Sequence, residues 1–133
     1  VAQYGFRDRC ASIRMVDYPL PRAPFTYGRS VLEERDKYLR GEESRMVAAA
    51  IDEAVLAIEE DGAEALMSGC SAAYWLQEPL ERGLKKLGWD VPVLEGYRAA
   101  IEMAKAMVNL GVTASGIAFP DPLPRKFRRK KLV

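Results

Sequence analysis

The sequence contains no histidine in 133 residues. That absence removes the Ser-His-Asp triad, the Cys-His dyad, histidine-metal sites and histidine proton shuttles together. Cysteine is scarce: Cys10 and Cys70 are the two present, far apart in the chain. They make no CxxC pair, no zinc-ligand spacing and no disulfide framework, so a reduced, cytoplasmic protein is expected. No apolar run approaches the roughly 20 residues that span a bilayer, which argues against a membrane partner. The most apolar stretch, Met46 to Ile51, ends at Asp52. No signal-peptide pattern is present. The sequence opens on Val1, as a processed chain or a piece of a longer protein does. Neither GxGxxG nor a Walker pattern occurs, so no nucleotide cofactor is argued.

An excess of one charge is lacking too. Twenty basic residues face nineteen acidic ones, a net +1, which excludes a strongly basic nucleic-acid binder and an acidic disordered chain. The distribution is uneven. Arg125, Lys126, Arg128, Arg129, Lys130 and Lys131 crowd the end, and without them fourteen cations face nineteen acids, a net −5 for the body. This tail, with Phe127 inside it, suits RNA or an acidic partner, or a solvated terminus; the acidic body favours the solvated terminus over nucleic acid.

What is present is ordinary for one soluble domain with a real core: 49% apolar and 29% charged residues. Gly5 reads as a helix stop. Cys10 to Val16, rich in apolar and β-branched residues, reads as a strand. Asp17 to Arg29 reads as a loop, because Pro19, Pro21, Pro24 and Gly28 break regular structure. It is a candidate lid, with Tyr18, Phe25 and Tyr27 either lining a pocket or pinning the loop to the core. Ser30 and Glu33 make a capping box, and Gly41 ends the helix it opens. A second helix is expected from about Glu42 to Asp61, with Val47, Ile51, Ala54 and Ile58 on one stripe and Gly62 as its stop. Ala63 to Ser68 reads as a buried parallel strand. Helix follows the turn at Gly69 to Ala73, interrupted at Pro79, resumed to Leu87 and closed by Gly88. Val91 to Leu94 reads as a third strand. Tyr97 to Leu110 reads as an amphipathic helix with Ile101, Ala104, Met107 and Val108 on one face. Thr113 to Phe119 reads as a last strand. The order predicts an α/β fold: three layers, a mostly parallel short sheet and flanking helices.

In such a sheet ligands bind beyond the carboxyl ends of the strands. Cys70 falls there, beside a predicted helix start whose unpaired N–H groups favour a thiolate. So placed it is a nucleophile or a proton-transfer base, although free cysteine is also a common core residue. The same N–H groups suit a carboxylate, or the enolate formed when a proton leaves a carbon beside a carbonyl. Gly69 permits close approach to the backbone, and Ser71 supplies a hydroxyl or a helix cap. Glu95 and Gly96 leave the next strand at the same edge. Glu95 either binds a substrate amide or is a favourable acid at a helix N-terminus. Cys10 reads as a core or edge residue.

Glu60-Asp-Gly-Ala-Glu-Ala-Leu-Met-Ser-Gly-Cys70, Val91-Pro-Val-Leu-Glu-Gly96 and Ala99-Ala-Ile-Glu-Met-Ala-Lys-Ala-Met-Val-Asn-Leu-Gly111 together resemble the aspartate/glutamate racemase superfamily, closest to its hydantoin and allantoin racemase branch. Tyr4-Gly-Phe-Arg-Asp-Arg-Cys-Ala-Ser-Ile-Arg14 resembles that branch too. The resemblance implies one lobe of a two-lobe enzyme, each lobe giving one cysteine that removes or delivers a proton at the stereocentre, with no metal, pyridoxal or nucleotide. It implies that residues 1–119 are the C-terminal lobe, that 97–119 return to a missing N-terminal lobe, and that 120–133 are a Pro-rich, basic tail. Cys70 matches the second-lobe cysteine, with Gly69, Ser71, Ala72, Glu95 and Gly96 around a small-molecule substrate; Cys10 does not match the first. Tyr74 and Trp75 depart from the branch and are expected to alter the pocket. Three functions follow: a cofactor-independent racemase inactive without its other half; a one-cysteine decarboxylase or isomerase; or a non-catalytic module that binds an anion or a partner. The missing lobe or a homo-oligomer is the expected protein partner.

Overall fold

The structure is a computed structural model and describes residues 5–20 and 30–112. Phe25, Tyr27, the predicted strand at Thr113 to Phe119 and the basic tail lie outside the described residues. Chain packing divides the molecule into two units, Val1–Ala99 and Ala100–Val133.

The first unit is mixed α/β. After a 3-10 turn at Arg7–Arg9 come α1 (Val31–Leu39), α2 (Arg45–Glu59), β1 (Leu66–Met67), a 3-10 segment (Ser71–Leu76), α3 (Gln77–Lys86), β2 (Val93–Leu94) and α4 (Gly96–Asn109), which continues into the second unit. β1 and β2 pair in parallel, with Leu66 opposite Val93 and Met67 opposite Leu94. The predicted α/β class with a short parallel sheet and flanking helices is therefore present. The strands are shorter than expected, and Met67 is exposed, so β1 is half-covered rather than buried.

Local chemistry sets the helix boundaries. The Ser30 hydroxyl accepts from Glu33 N, and the Glu33 carboxylate accepts from Ser30 N, which completes the capping box at α1. The chain turns out of α1 and α2 at Gly41 and Gly62, with φ of 76° and 69°, a region costly for any residue with a Cβ. α2 begins at Ser44, whose hydroxyl accepts from Val47 N. Its most deeply buried residues are Met46, Ala50, Ala54 and Ala57, so the stripe is rotated from the predicted Val47–Ile51–Ala54–Ile58 line and shares Ala54 with it. Small side chains on this face let α3 come close. A Cβ on Gly83 of α3 meets the Cδ1 of Ile51 and stands 2.8 Å from its Cγ1. Pro79 lies in the first turn of α3 and does not interrupt it, because an N–H there has no helical acceptor to lose.

Two apolar clusters hold the unit together. Val31, Met46, Ala50, Ala73, Trp75 and Leu76 form one, with Tyr18 and Tyr38 against it. Ala54, Leu84 and Val93 form the other, with Leu66, Leu80 and Trp89. Trp75 is thus core, not pocket wall; Tyr74 beside it is exposed. Among the described residues the buried Trp75 indole N–H has no hydrogen-bond partner. A buried carboxylate joins α1 to α2. Glu34, 1% exposed, accepts from the Ser44 hydroxyl at 2.9 Å, Met46 N at 3.1 Å and Lys37 Nζ at 2.6 Å. Burial pushes this carboxyl up, but the three donors outweigh it and hold its pKa at about 2.

Cys10 to Val16 forms no strand. A strand exists only through a neighbouring strand's hydrogen bonds, and among the described residues the backbone bonds of this segment are local, Cys10 N to Arg7 O and Tyr18 N to Val16 O. Ile13 and Met15 are 86% and 82% exposed. Arg14 fastens the segment instead, donating to Asp61 at 2.6 Å and Glu60 at 2.9 Å, with Glu53 at 3.5 Å.

In the second unit α4 runs on to Asn109, and the chain turns at Gly111, φ 66°. No residue of α4 is buried: Ile101, Met107 and Val108 are 58%, 36% and 77% exposed, and Ala104 is exposed as well.

Candidate functional site

The parallel register sends both strands out at one edge. Ser68 N donates to Leu94 O at 3.4 Å, the last rung of the ladder. Gly69 and Cys70 follow that rung on one side, Glu95 and Gly96 on the other. The structure brings these four residues to one edge of the sheet, as the order of elements predicted.

Cys70 is a free thiol and exposed. Its backbone is extended, φ −124° and ψ 127°, and its carbonyl accepts from Ala73 N at 3.0 Å and from the Ser68 hydroxyl at 3.4 Å. It stands as the N-cap of the 3-10 segment, not of an α-helix; α3 starts only at Gln77. The Cys70 side chain makes no capping bond, and Ser71 is the first residue of the segment rather than its cap. A six-residue 3-10 segment aligns fewer peptide dipoles than the helix expected here, and the cap position is taken by a thiol, a poor acceptor. Ala72 packs against the Trp75 cluster. Gly69 is exposed, and a Cβ there meets nothing within 4 Å; the same holds at Gly96. Neither glycine is required by a neighbour in the described residues, so the backbone at both is open to approach from outside.

Glu95 resolves as a cap. Its two carboxylate oxygens accept from Tyr97 N and Arg98 N, each at 2.8 Å. It therefore supplies at the start of α4 the negative charge that the helix dipole favours. Cys10 is half-buried, with its Sγ 3.5 Å from Ser12 O.

Two residues at this edge escaped the sequence reading. Gln77 donates from Nε2 to Val93 O at 3.1 Å and accepts at Oε1 from Arg98 Nη1 at 3.2 Å. A glutamine opening a helix and an arginine one turn into the next carry no spacing signal; only the fold joins them. Among the described residues no group of three or more His, Cys, Asp or Glu side chains is arranged to hold a metal ion. Nor, among them, is any helix long and apolar enough to cross a membrane.

The chain is similar to hydantoin racemases. It is 29% identical over 117 residues to the hydantoin racemase of Rhizobium meliloti, a match covering 88% of this chain and 40% of that protein. It is 41% identical over 59 residues to the hydantoin racemase of a Pseudomonas species, covering 44% of this chain and 22% of that protein. The chain thus spans well under half the length of the curated relatives it matches. No family model matches it, and neither does any solved structure.

Proposed function

We propose that this chain is the C-terminal, cysteine-bearing lobe of a cofactor-independent racemase that acts on a hydantoin-like ring or another amino-acid derivative. The observation that carries the reading is the exposed Cys70 at the carboxyl edge of a parallel sheet, in a chain similar to hydantoin racemases. The Cys70 thiolate takes the proton from the carbon beside a carbonyl, and the electron pair of that C–H bond moves to the carbonyl oxygen as an enolate. A second cysteine, from the N-terminal lobe that this reading requires, returns a proton to the opposite face. Gly69, Ser71, Ala72 and Gly96 give the substrate a close approach, and Glu95 acts through the start of α4. The exposed face of α4 (Gly96–Asn109) is the surface that the N-terminal lobe or a second copy covers.

Two measurements test this. A 5-substituted hydantoin should slow iodoacetamide labelling of Cys70 and leave Cys10 unaffected, read by mass spectrometry; no protection overturns the reading. Deuterium uptake at the hydantoin stereocentre, followed by NMR, should be absent with this chain alone, and exchange with inversion overturns the need for a second lobe. A second reading, decarboxylation or isomerisation through one cysteine, rests on the single glycine–cysteine turn of this sequence. Carbon dioxide release in place of inversion separates the two.

A further inference from the structure

Every residue of α4 is exposed, yet its polar side chains keep to one stripe. Arg98, Glu102, Lys105 and Asn109 recur at intervals of four, three and four, so they stand one above another. The charges in that stripe are engaged within the chain. Lys105 Nζ donates to both Glu102 oxygens, at 2.8 and 3.1 Å, and Arg98 donates to the Gln77 amide. Beside the stripe runs an apolar seam. Tyr97, Ile101, Ala104, Val108 and Gly111 follow at four, three, four and three, the spacing with which one helix packs along another. The far flank of the seam, at Ala100 and Met107, carries no charge.

The seam matches itself when reversed. Laid against a second α4 running the other way, Ala104 meets Ala104, Ile101 meets Val108, and Tyr97 meets the Gly111 turn. Small residues meet at the centre, where the two backbones come closest, and each large ring falls where the opposite helix has no side chain. A Cβ placed on Gly111 touches nothing within 4 Å, so that side of the turn has room for a ring. The parallel arrangement instead sets Tyr97 on Tyr97 and leaves a gap between two glycines. Reversal also puts the uncharged flanks together, Ala100 beside Met107, and opposes the helix dipoles. Lys105 then meets Lys105, but each brings its own Glu102 as counter-ion. An occupant of another sequence would not need the seam to match itself.

We propose that α4 docks antiparallel on α4 of a second copy of this chain, about a two-fold axis at Ala104. Of the two occupants named for this face, this selects the second copy, and it does not depend on the chemistry of Cys70. α4 has 14 residues, about 21 Å of helix. A pair of helices of that length is a small interface beside the roughly 800 Å² per partner of a standard one, so the dimer is reversible and its population follows concentration.

Disulfide trapping tests the pairing in the full chain carrying Cys10→Ser and Cys70→Ser, at about 100 μM, where a pair of this size is populated. Ala104→Cys should link to itself under mild oxidation at least fivefold faster than Asn109→Cys, whose thiol sits on the polar stripe. Ile101→Cys alone and Val108→Cys alone should link no faster than that control, because equivalent residues then lie about 10 Å apart, beyond disulfide reach. Mixing those two variants should produce the mixed dimer at least fivefold faster than either produces its own. None of these substitutions touches a buried residue, so the fold of the first unit is kept. Ala104→Cys linking no faster than Asn109→Cys overturns the proposal. So does self-linking of Ile101→Cys at the Ala104→Cys rate, which marks a parallel pair. Hydantoin protection of Cys70 is measured on the unaltered chain, so the proton-transfer reading stands or falls separately.

Discussion

Replacing Glu34 with Gln keeps the shape of a buried side chain and removes its charge. In the native chain three donors converge on this carboxylate, and they hold its pKa at about 2, against an ordinary value of 4.5, even though burial alone pushes it upward. A pKa that is depressed on folding means stability gained from the ionised form. That gain is fully present above the unfolded value and is lost as pH falls through the folded one. Its size is about 3 kcal/mol, a large part of the roughly 5–15 kcal/mol that holds a domain of this size. With a urea m-value of about 1.5 kcal/mol/M, Glu34→Gln should lower the midpoint by about 2 M near neutral pH. The gap between the two proteins should then close as pH falls from about 4.5 to about 2, because the native carboxyl becomes protonated and resembles the amide. The comparison with the variant is needed because Arg14 also holds Asp61 low and Arg40 holds Glu42 low, so the native curve alone has several contributors. The assay is urea unfolding by circular dichroism at a series of pH values. A midpoint gap that stays constant from about pH 6 to about pH 2.5 refutes the reasoning.

Three further outcomes are expected. Gly83→Ala gains up to about 1 kcal/mol of helix propensity but drives a methyl into Ile51; overpacking costs about 1–3 kcal/mol, so net destabilisation is expected in urea unfolding, and Ile51→Ala in the same chain should relieve it. Trp75→Phe removes an indole N–H that is buried without a partner, so it should cost less than about 1.5 kcal/mol, whereas Trp75→Ala should cost about 3–5 kcal/mol; equal thermal losses for the two would show that the N–H is satisfied in solution. The exposed apolar face of α4 should make the chain self-associate, and Ile101→Glu with Val108→Glu should shift it toward monomer in sedimentation velocity; a native chain that stays monomeric at high concentration contradicts this.

Features set by near neighbours in the chain are legible in the sequence. The Ser30–Glu33 box, the left-handed glycines after α1 and α2, and the two short strands leaving toward Cys70 and Glu95 all follow from residues a few positions apart. Features that depend on a distant partner are not. Cys10 to Val16 has the composition of a strand, yet composition cannot supply the neighbour that a strand needs, and Arg14 found three acids instead. The face that α2 buries was set by the approach of α3 at Gly83, so alanines rather than Val47 and Ile58 took the deepest places. Pro79 is a breaker inside a helix but harmless in the first turn, and the preceding 3-10 segment put it there. The common sheet edge of Gly69, Cys70, Glu95 and Gly96 was legible from the order of elements. The link from Gln77 to Arg98 was not, because it exists only once α3, β2 and α4 are packed.

The Gln77 amide has a consequence for growth of the sheet. Pro92 O and Leu94 O point across to β1, where they accept from Leu66 N and Ser68 N. Val93 O, between them, points away, as alternate carbonyls of a strand do. It is the acceptor that an additional strand alongside β2 would use, and Gln77 already fills it. Among the described residues the sheet has two strands, and a strand edge is a template for pairing, but here the two flanks are unequal. A strand adding at β2 must first evict Gln77 and release Arg98; a strand adding at β1 displaces neither. Among the described residues the Gln77 block is therefore confined to the β2 side of the sheet.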